Sequence, residues 1–140
     1  MRVLVLDNET ARLKTFTRAL IGHSVTCVMT AEQAIKKLSE EKWDIIFLDH
    51  DLDPNGAVFQ PSGPGTGWEV AKWLSDNPDR KPGIIVLHSL YDQGRKNMMG
   101  LLPEAMDVPG AWLMLIELKE RGLVFNPVPI IGEKGCRPST

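Results

Sequence analysis

The chain has 140 residues, 43% hydrophobic and 24% charged, enough for one ordinary domain with a proper core and too little for two. A formal net charge of -2, with acids and bases interspersed, excludes a broad basic face that would grip a nucleic-acid duplex without specificity. Two cysteines, Cys27 and Cys136, make no disulfide framework, and no apolar run approaches the ~20 residues of a membrane helix, so a reducing cytoplasm is the expected setting.

Arg2 to Leu6 is a short apolar run that stops at Asp7-Asn8, the pattern of a buried parallel strand emerging into a loop. Leu13, Phe16 and Leu20 recur at helical spacing, which predicts an amphipathic helix over Glu9 to Leu20 closed by Gly22. Val25 and Cys27 alternate as a second strand, with His23 beside it in a structural place. Thr30 and Gln33 fit a capping box ahead of a helix whose stripe is Ala34, Ile35 and Leu38. Trp43 to Leu48 is a third strand, and it ends abruptly in Asp49-His50-Asp51.

The stretch from Asp53 to Gly65 holds Pro54, Gly56, Pro61, Gly63 and Pro64, which break regular structure and predict a mobile loop, or lid, beside the acidic triplet. Thr66 and Glu69 form a second capping box, with Val70, Ala71 and Leu74 facing the sheet. Ile84 to Leu87 is a fourth strand ending in His88-Ser89, followed by a short helix over Gly94 to Leu101. Pro103 and Pro109 interrupt the chain before a helix over Ala111 to Arg121 with Gly122 at its cap, and Leu123 to Phe125 is a brief last strand. Residues 1–125 form the domain and 126–140 a Pro- and Gly-containing tail. The tryptophans at positions 43, 68, 73 and 112 fall in or beside regular elements and are read as packing groups.

Alternating strands and helices of these lengths predict an α/β fold, a flavodoxin-like parallel sheet with helices on both faces. Ligands of such sheets bind beyond the carboxyl ends of the strands. Asp7, Asp49 and His88 stand at three such ends, and their convergence defines the expected site. Asp7 and Asp49, with Asn8 and Asp51 adding oxygens, suit a hard divalent cation, Mg²⁺ first, with Mn²⁺ or Zn²⁺ as alternatives because histidines stand nearby. His50 and His88 are candidates to give and take a proton across one phosphate, with Asp49 beside them. Ser89, Arg95 and Asn97 are candidate phosphate contacts, and Lys96 adds charge in the same stretch.

The runs Val5-Leu6-Asp7-Asn8, Asp44 to Asp49 and Val86-Leu87-His88-Ser89 resemble the receiver domains of two-component signalling. In those domains an early acidic pair binds Mg²⁺ and the aspartate after the third strand accepts a phosphoryl group. Asn8 replaces the second acid, and no lysine stands after a last strand; Lys134 is a poor substitute. The longer motifs Leu48-Asp49-His50-Asp51-Leu52, Thr66-Gly67-Trp68-Glu69, His88-Ser89 and Gly94-Arg95-Lys96-Asn97-Met98 are similar to a divergent branch, the predicted cyclic-phosphate-processing receiver domains. That resemblance spans roughly Arg2 to Leu101. It implies metal-assisted opening of a cyclic phosphate, with a small phosphate compound or an RNA terminus as partner. The receiver resemblance implies the alternative, phosphorylation of Asp49 in a signalling or partner-binding module.

Overall fold

The computed structural model describes residues 1–52 and 65–122. Its strands are β1 (Arg2–Leu6), β2 (Ser24–Val28), β3 (Ile45–Leu48), β4 (Ile84–Leu87) and β5 (Met106–Asp107), and its α-helices are α1 (Thr10–Ala19), α2 (Ala31–Glu40), α3 (Gly67–Asp76), α4 (Asp92–Leu101) and α5 (Ala111–Glu120). The five strands form one sheet in the order β2-β1-β3-β4-β5, all paired parallel, which is the expected flavodoxin-like arrangement.

The apolar runs divide cleanly between the two faces because side chains alternate along a strand. Leu4, Leu6, Ile46, Leu48, Ile85 and Leu87 join a core cluster that takes in residues of α2, α3 and α4. Val3, Val5, Ile45, Phe47 and Val86 lie in the other, with Leu13 and Phe16 of α1 and Ala111 and Leu115 of α5. This parity decides which helices each strand-end residue meets.

Local chemistry explains the helix starts. The Thr30 hydroxyl accepts from the Gln33 backbone N–H at 3.1 Å, while the Gln33 side chain reaches back past Thr30 to the Met29 N–H at 2.9 Å. At α3 the Thr66 hydroxyl accepts from Trp68 N–H and the Glu69 carboxylate from Gly65 N–H, at 3.2 and 2.7 Å. Gly65 and Gly110 sit at φ of +79° and +72° before α3 and α5, backbone that glycine adopts without cost. Gly67 has a different reason to be glycine: a Cβ there would stand 1.9 Å from the Asp49 carbonyl oxygen, so α3 can start this close to the end of β3 only without a side chain.

The fifth described strand is one the sequence reading does not place. It is Met106–Asp107, before α5, inside the stretch that Pro103 and Pro109 mark as an interruption. Two residues carry no periodicity, and both are exposed, so neither strand signal existed. The expected strand over Leu123 to Phe125, the tail after it and the lid over Asp53 to Pro64 lie outside the described residues. The helix expected from Gly94 begins two residues earlier, at Asp92. No helix among the described residues is long and apolar enough to cross a membrane.

Candidate functional site

Strand register builds the site. Leu6 pairs with Leu48 and Leu48 with Leu87, so the next residues along, Asp7, Asp49 and His88, stand side by side at the carboxyl ends of β1, β3 and β4. The backbone ladder continues through them: Asp49 N–H donates to Leu6 C=O and His88 N–H to Leu48 C=O, both at 3.0 Å. All three share the parity of Val5, Phe47 and Val86 and therefore project toward α1 and α5. Their ligand atoms lie within 4.8 Å of one another, and all three residues are buried.

Asp7 is saturated with donors. Its Oδ1 accepts from Glu9 N–H at 2.9 Å and from Arg12 Nη2 at 2.9 Å; its Oδ2 accepts from Arg12 Nε at 2.8 Å and faces His88 Nε2 at 3.0 Å. Burial pushes this carboxyl up, but hydrogen bonds from His88, Arg12 and the Glu9 backbone outweigh it and hold it at about 2. An ionised Asp7 can only accept, so His88 carries its proton on Nε2. Burial holds the His88 imidazole below the usual histidine range against the pull of Asp7, which leaves it neutral with a bare lone pair on Nδ1. That Nδ1 has no hydrogen-bond partner among the described residues, and the ring is packed edge-on by Phe16 and Trp112 at centroid distances of 5.0 and 5.7 Å.

Asp49 differs from Asp7. Arg12 Nη2 approaches its Oδ2 only at 3.5 Å. Burial, and then the negative Asp7, push its carboxyl up to about 7 against the pull of Arg12 and of the His50 backbone N–H. Arg12 itself is the residue that sequence reasoning missed. Its guanidinium grips Asp7 with two nitrogens and lies over the Trp112 ring with Cζ 5.0 Å from the centroid. A signal was present: Arg12 precedes Phe16 by four residues, so it lies on the helix face that packs on the sheet, one turn closer to the strand ends.

The remaining candidates go elsewhere. His50 has the opposite parity to Asp49, and its ring packs under α4, 5.1 Å from the Tyr91 ring and so close to Gly94 that a Cβ there would fall 2.6 Å from it. Its Nδ1 bonds Asp51 Oδ1 at 2.9 Å. His50 and His88 are therefore on opposite faces of the sheet, and Asp51 is tied to His50 rather than to the Asp7–Asp49 pair. Asn8 is half-buried in the bend after β1. The Ser89 hydroxyl accepts from Tyr91 N–H at 3.0 Å, and its carbonyl accepts from Arg95 Nη1 at 2.9 Å. Arg95 is buried and ion-paired with Asp107, at 2.6 Å, and with Asp92. The Asn97 side-chain oxygen accepts from Gln93 one turn away at 2.9 Å. After β5 the chain reads Val108-Pro109-Gly110, with no lysine.

As a cation site the centre passes a test of chemistry. Two carboxylates converge, and a cation, the Arg12 guanidinium, already sits against them. Oxygen-rich donor sets of this kind suit Mg²⁺ and related divalent ions.

The sheet order and the acid pair at the ends of β1 and β3 define a receiver-type domain. The chain matches the Cyclic-phosphate processing Receiver domain over residues 2–104 and belongs to that family. Solved structures similar to it include the phosphorylated cyanobacterial phytochrome response regulator RcpA, with a TM-score of 0.65 and 17% identity over 85% of this chain and 91% of that one. The response regulator TrrA from Thermotoga maritima in complex with Mg²⁺-BeF gives 0.61 and 21% over 87% and 98%, and the Vibrio cholerae chemotaxis protein CheY4 0.61 and 17% over the same shares. At such identities the likeness is one of fold. No curated protein matches the chain.

Proposed function

We propose that this domain is a metal-assisted phosphoesterase that opens a cyclic phosphate, either at an RNA end or in a cyclic nucleotide. The observation that carries the reading is the convergence of Asp7, Asp49 and His88 with Arg12 at three adjacent strand ends, in a chain of a family described by cyclic-phosphate processing. A divalent cation held by Asp7 and Asp49 would draw charge from a non-bridging phosphate oxygen. In the reaction a water oxygen bonds to phosphorus and one ring P–O bond breaks. The water proton goes to a base, the departing oxygen gains a proton, and the product is a monoester with a free hydroxyl.

The chain's own residues divide this work. Asp49, whose carboxyl is pushed up to about 7, would take the water proton. Asp7 holds His88 by Nε2 and fixes its tautomer, so the buried imidazole orients the acid rather than meeting the substrate. Arg12, its side chain 23% exposed, is the cationic side chain that touches both acids of the site. His50 and Arg95 support the β3 and β4 turns from the other face.

Phosphorus NMR of the protein with a 2′,3′-cyclic-phosphate RNA end and a panel of cyclic nucleotides tests the reading. Conversion to a monoester with Mg²⁺ or Mn²⁺, absent with chelator and in Asp49→Ala, supports it. Silence across the panel by folded, metal-loaded protein rejects it.

A second reading has one observation in its favour. Asp49 follows β3, the central strand, in a fold shared with a regulator solved in its phosphorylated form. On that reading Asp49 accepts a phosphoryl group. Intact mass after acetyl phosphate and Mg²⁺ gives one phosphate adduct, lost in Asp49→Asn; no adduct rejects it.

A further inference from the structure

We infer that Arg12 is a built-in counter-ion that occupies the cation position of this site and must leave Asp7 before a divalent metal can bind there. The inference rests on the reading of Asp7 and Asp49 as metal ligands and adds the element that controls their occupancy.

The argument is one of valence at a single carboxylate. An ionised carboxylate offers about four acceptor directions. On Asp7 these are taken by the Glu9 backbone, two Arg12 nitrogens and His88. The Glu9 bond belongs to the turn into α1, and His88 is fixed by β4 and by the rings around it. Arg12 alone holds Asp7 through a flexible, part-exposed side chain, and it alone also reaches Asp49. A divalent ion shared by Asp7 and Asp49 therefore competes with Arg12 for the same oxygens and for the same compensation of charge. When Arg12 leaves, it also leaves the face of Trp112, so the exchange carries its own optical reporter.

The test is Mg²⁺ binding by calorimetry and tryptophan fluorescence on wild type, Arg12→Gln and Arg12→Lys, each checked for fold by circular dichroism. Arg12→Gln is expected to bind Mg²⁺ at least tenfold more tightly than wild type. Arg12→Lys, which keeps the charge but gives up the two-pronged grip, is expected to fall between them. In wild type Mg²⁺ should change the emission, and Trp112→Phe should remove that change.

Equal or weaker affinity in Arg12→Gln overturns the exchange while leaving the metal site standing. Arg12→Lys binding no better than wild type, with wild-type emission unmoved by bound Mg²⁺, also overturns it, since a nearby charge would then be the whole effect. No Mg²⁺ binding by any of the proteins overturns both the exchange and the metal site beneath it. Should Arg12→Gln fail to fold, Arg12→Lys and the Trp112 signal in wild type decide the question.

Discussion

Two aspartates and one arginine occur together twice in this molecule, with the burial inverted. At the strand ends the acids Asp7 and Asp49 are buried, their side chains 0% and 6% exposed, and Arg12 reaches in from the edge at 23%. At α4 the arginine is the buried partner, Arg95 at 9%, and its acids Asp92 and Asp107 are 70% and 43% exposed. Water can stabilise the surplus negative charge of the second trio but not of the first. The α4 trio is thus a brace whose buried member bonds through each of its three guanidinium nitrogens. The strand-end trio keeps an excess of buried acid, which stores affinity for an incoming cation. The sequence motif that contains Arg95 looks like the more promising phosphate contact, but the structure ties Arg95 to Asp107, Asp92 and the Ser89 carbonyl and sets Arg12 against the strand-end acids.

The largest effect should come from breaking the brace. Arg95→Ala removes three donors, strands the Ser89 carbonyl and opens a cavity under α4. A loss of about 2–4 kcal/mol in urea unfolding is expected, from the cavity and the stranded carbonyl, since the two acids left behind are solvated. Arg12→Ala in chelator should cost about half as much, because a proton on Asp49 can replace the lost charge. Saturating Mg²⁺ should restore most of that loss and none of the Arg95→Ala deficit. Equal Mg²⁺ rescue of both variants would mean that the two trios do not differ in kind.

The second effect has the opposite sign and depends on pH. Asp49 sits at about 7 in the folded, metal-free protein against an ordinary value of 3.8. A raised carboxylate contributes stability that is complete below about pH 4 and lost as pH rises to 7. A tenfold change in proton affinity is worth about 1.4 kcal/mol, so Asp49→Asn should stabilise metal-free protein by about 2–4 kcal/mol at pH 8 and by little at pH 4.5. Asp7 is displaced the other way, to about 2, and contributes stability that is lost only as pH falls below about 4. Urea midpoints of wild type and Asp49→Asn across pH 4.5–8 in chelator separate the two. A difference that does not grow with pH would remove Asp49 as the unbalanced group.

The fold was legible because its signals are long: four apolar runs, two capping boxes and a set of helical stripes. The exception, β5, is two exposed residues whose pairing depends on β4 lying beside them. Asp7, Asp49 and His88 were legible as strand-end residues, since a buried run that stops at a polar group marks where it emerges. The pairing of His50 with His88 ignored the period of two. Asp49 and His50 are neighbours in sequence and must leave the sheet on opposite faces, which sends His50 to α4. Arg12 was missed because one basic residue in the first turns of a surface helix is ordinary until the depth of the adjacent strand end is known.

The smallest effects lie within one helix and sharpen the reading of His50 as a packing group. A Cβ on Gly94 would fall 2.6 Å from the His50 ring and 2.8 Å from that of Tyr91, while on Gly100, further along α4, it would meet nothing within 4 Å. Gly94→Ala must therefore push His50 or Tyr91 aside and should cost about 1–3 kcal/mol, the usual penalty of overpacking. Gly100→Ala favours the helix and displaces no neighbour, so it should add about 0.5 kcal/mol, less than the full mid-helix value because it lies in the last turn. On the proposed reading, cyclic-phosphate opening measured alongside turns this into a functional comparison. If His50 only packs, Gly94→Ala lowers the unfolding midpoint while kcat at a temperature well below it stays within about twofold. A fall in kcat of about tenfold or more in folded Gly94→Ala, with Gly100→Ala unchanged, would return His50 to the chemistry and make the α4 face part of the site.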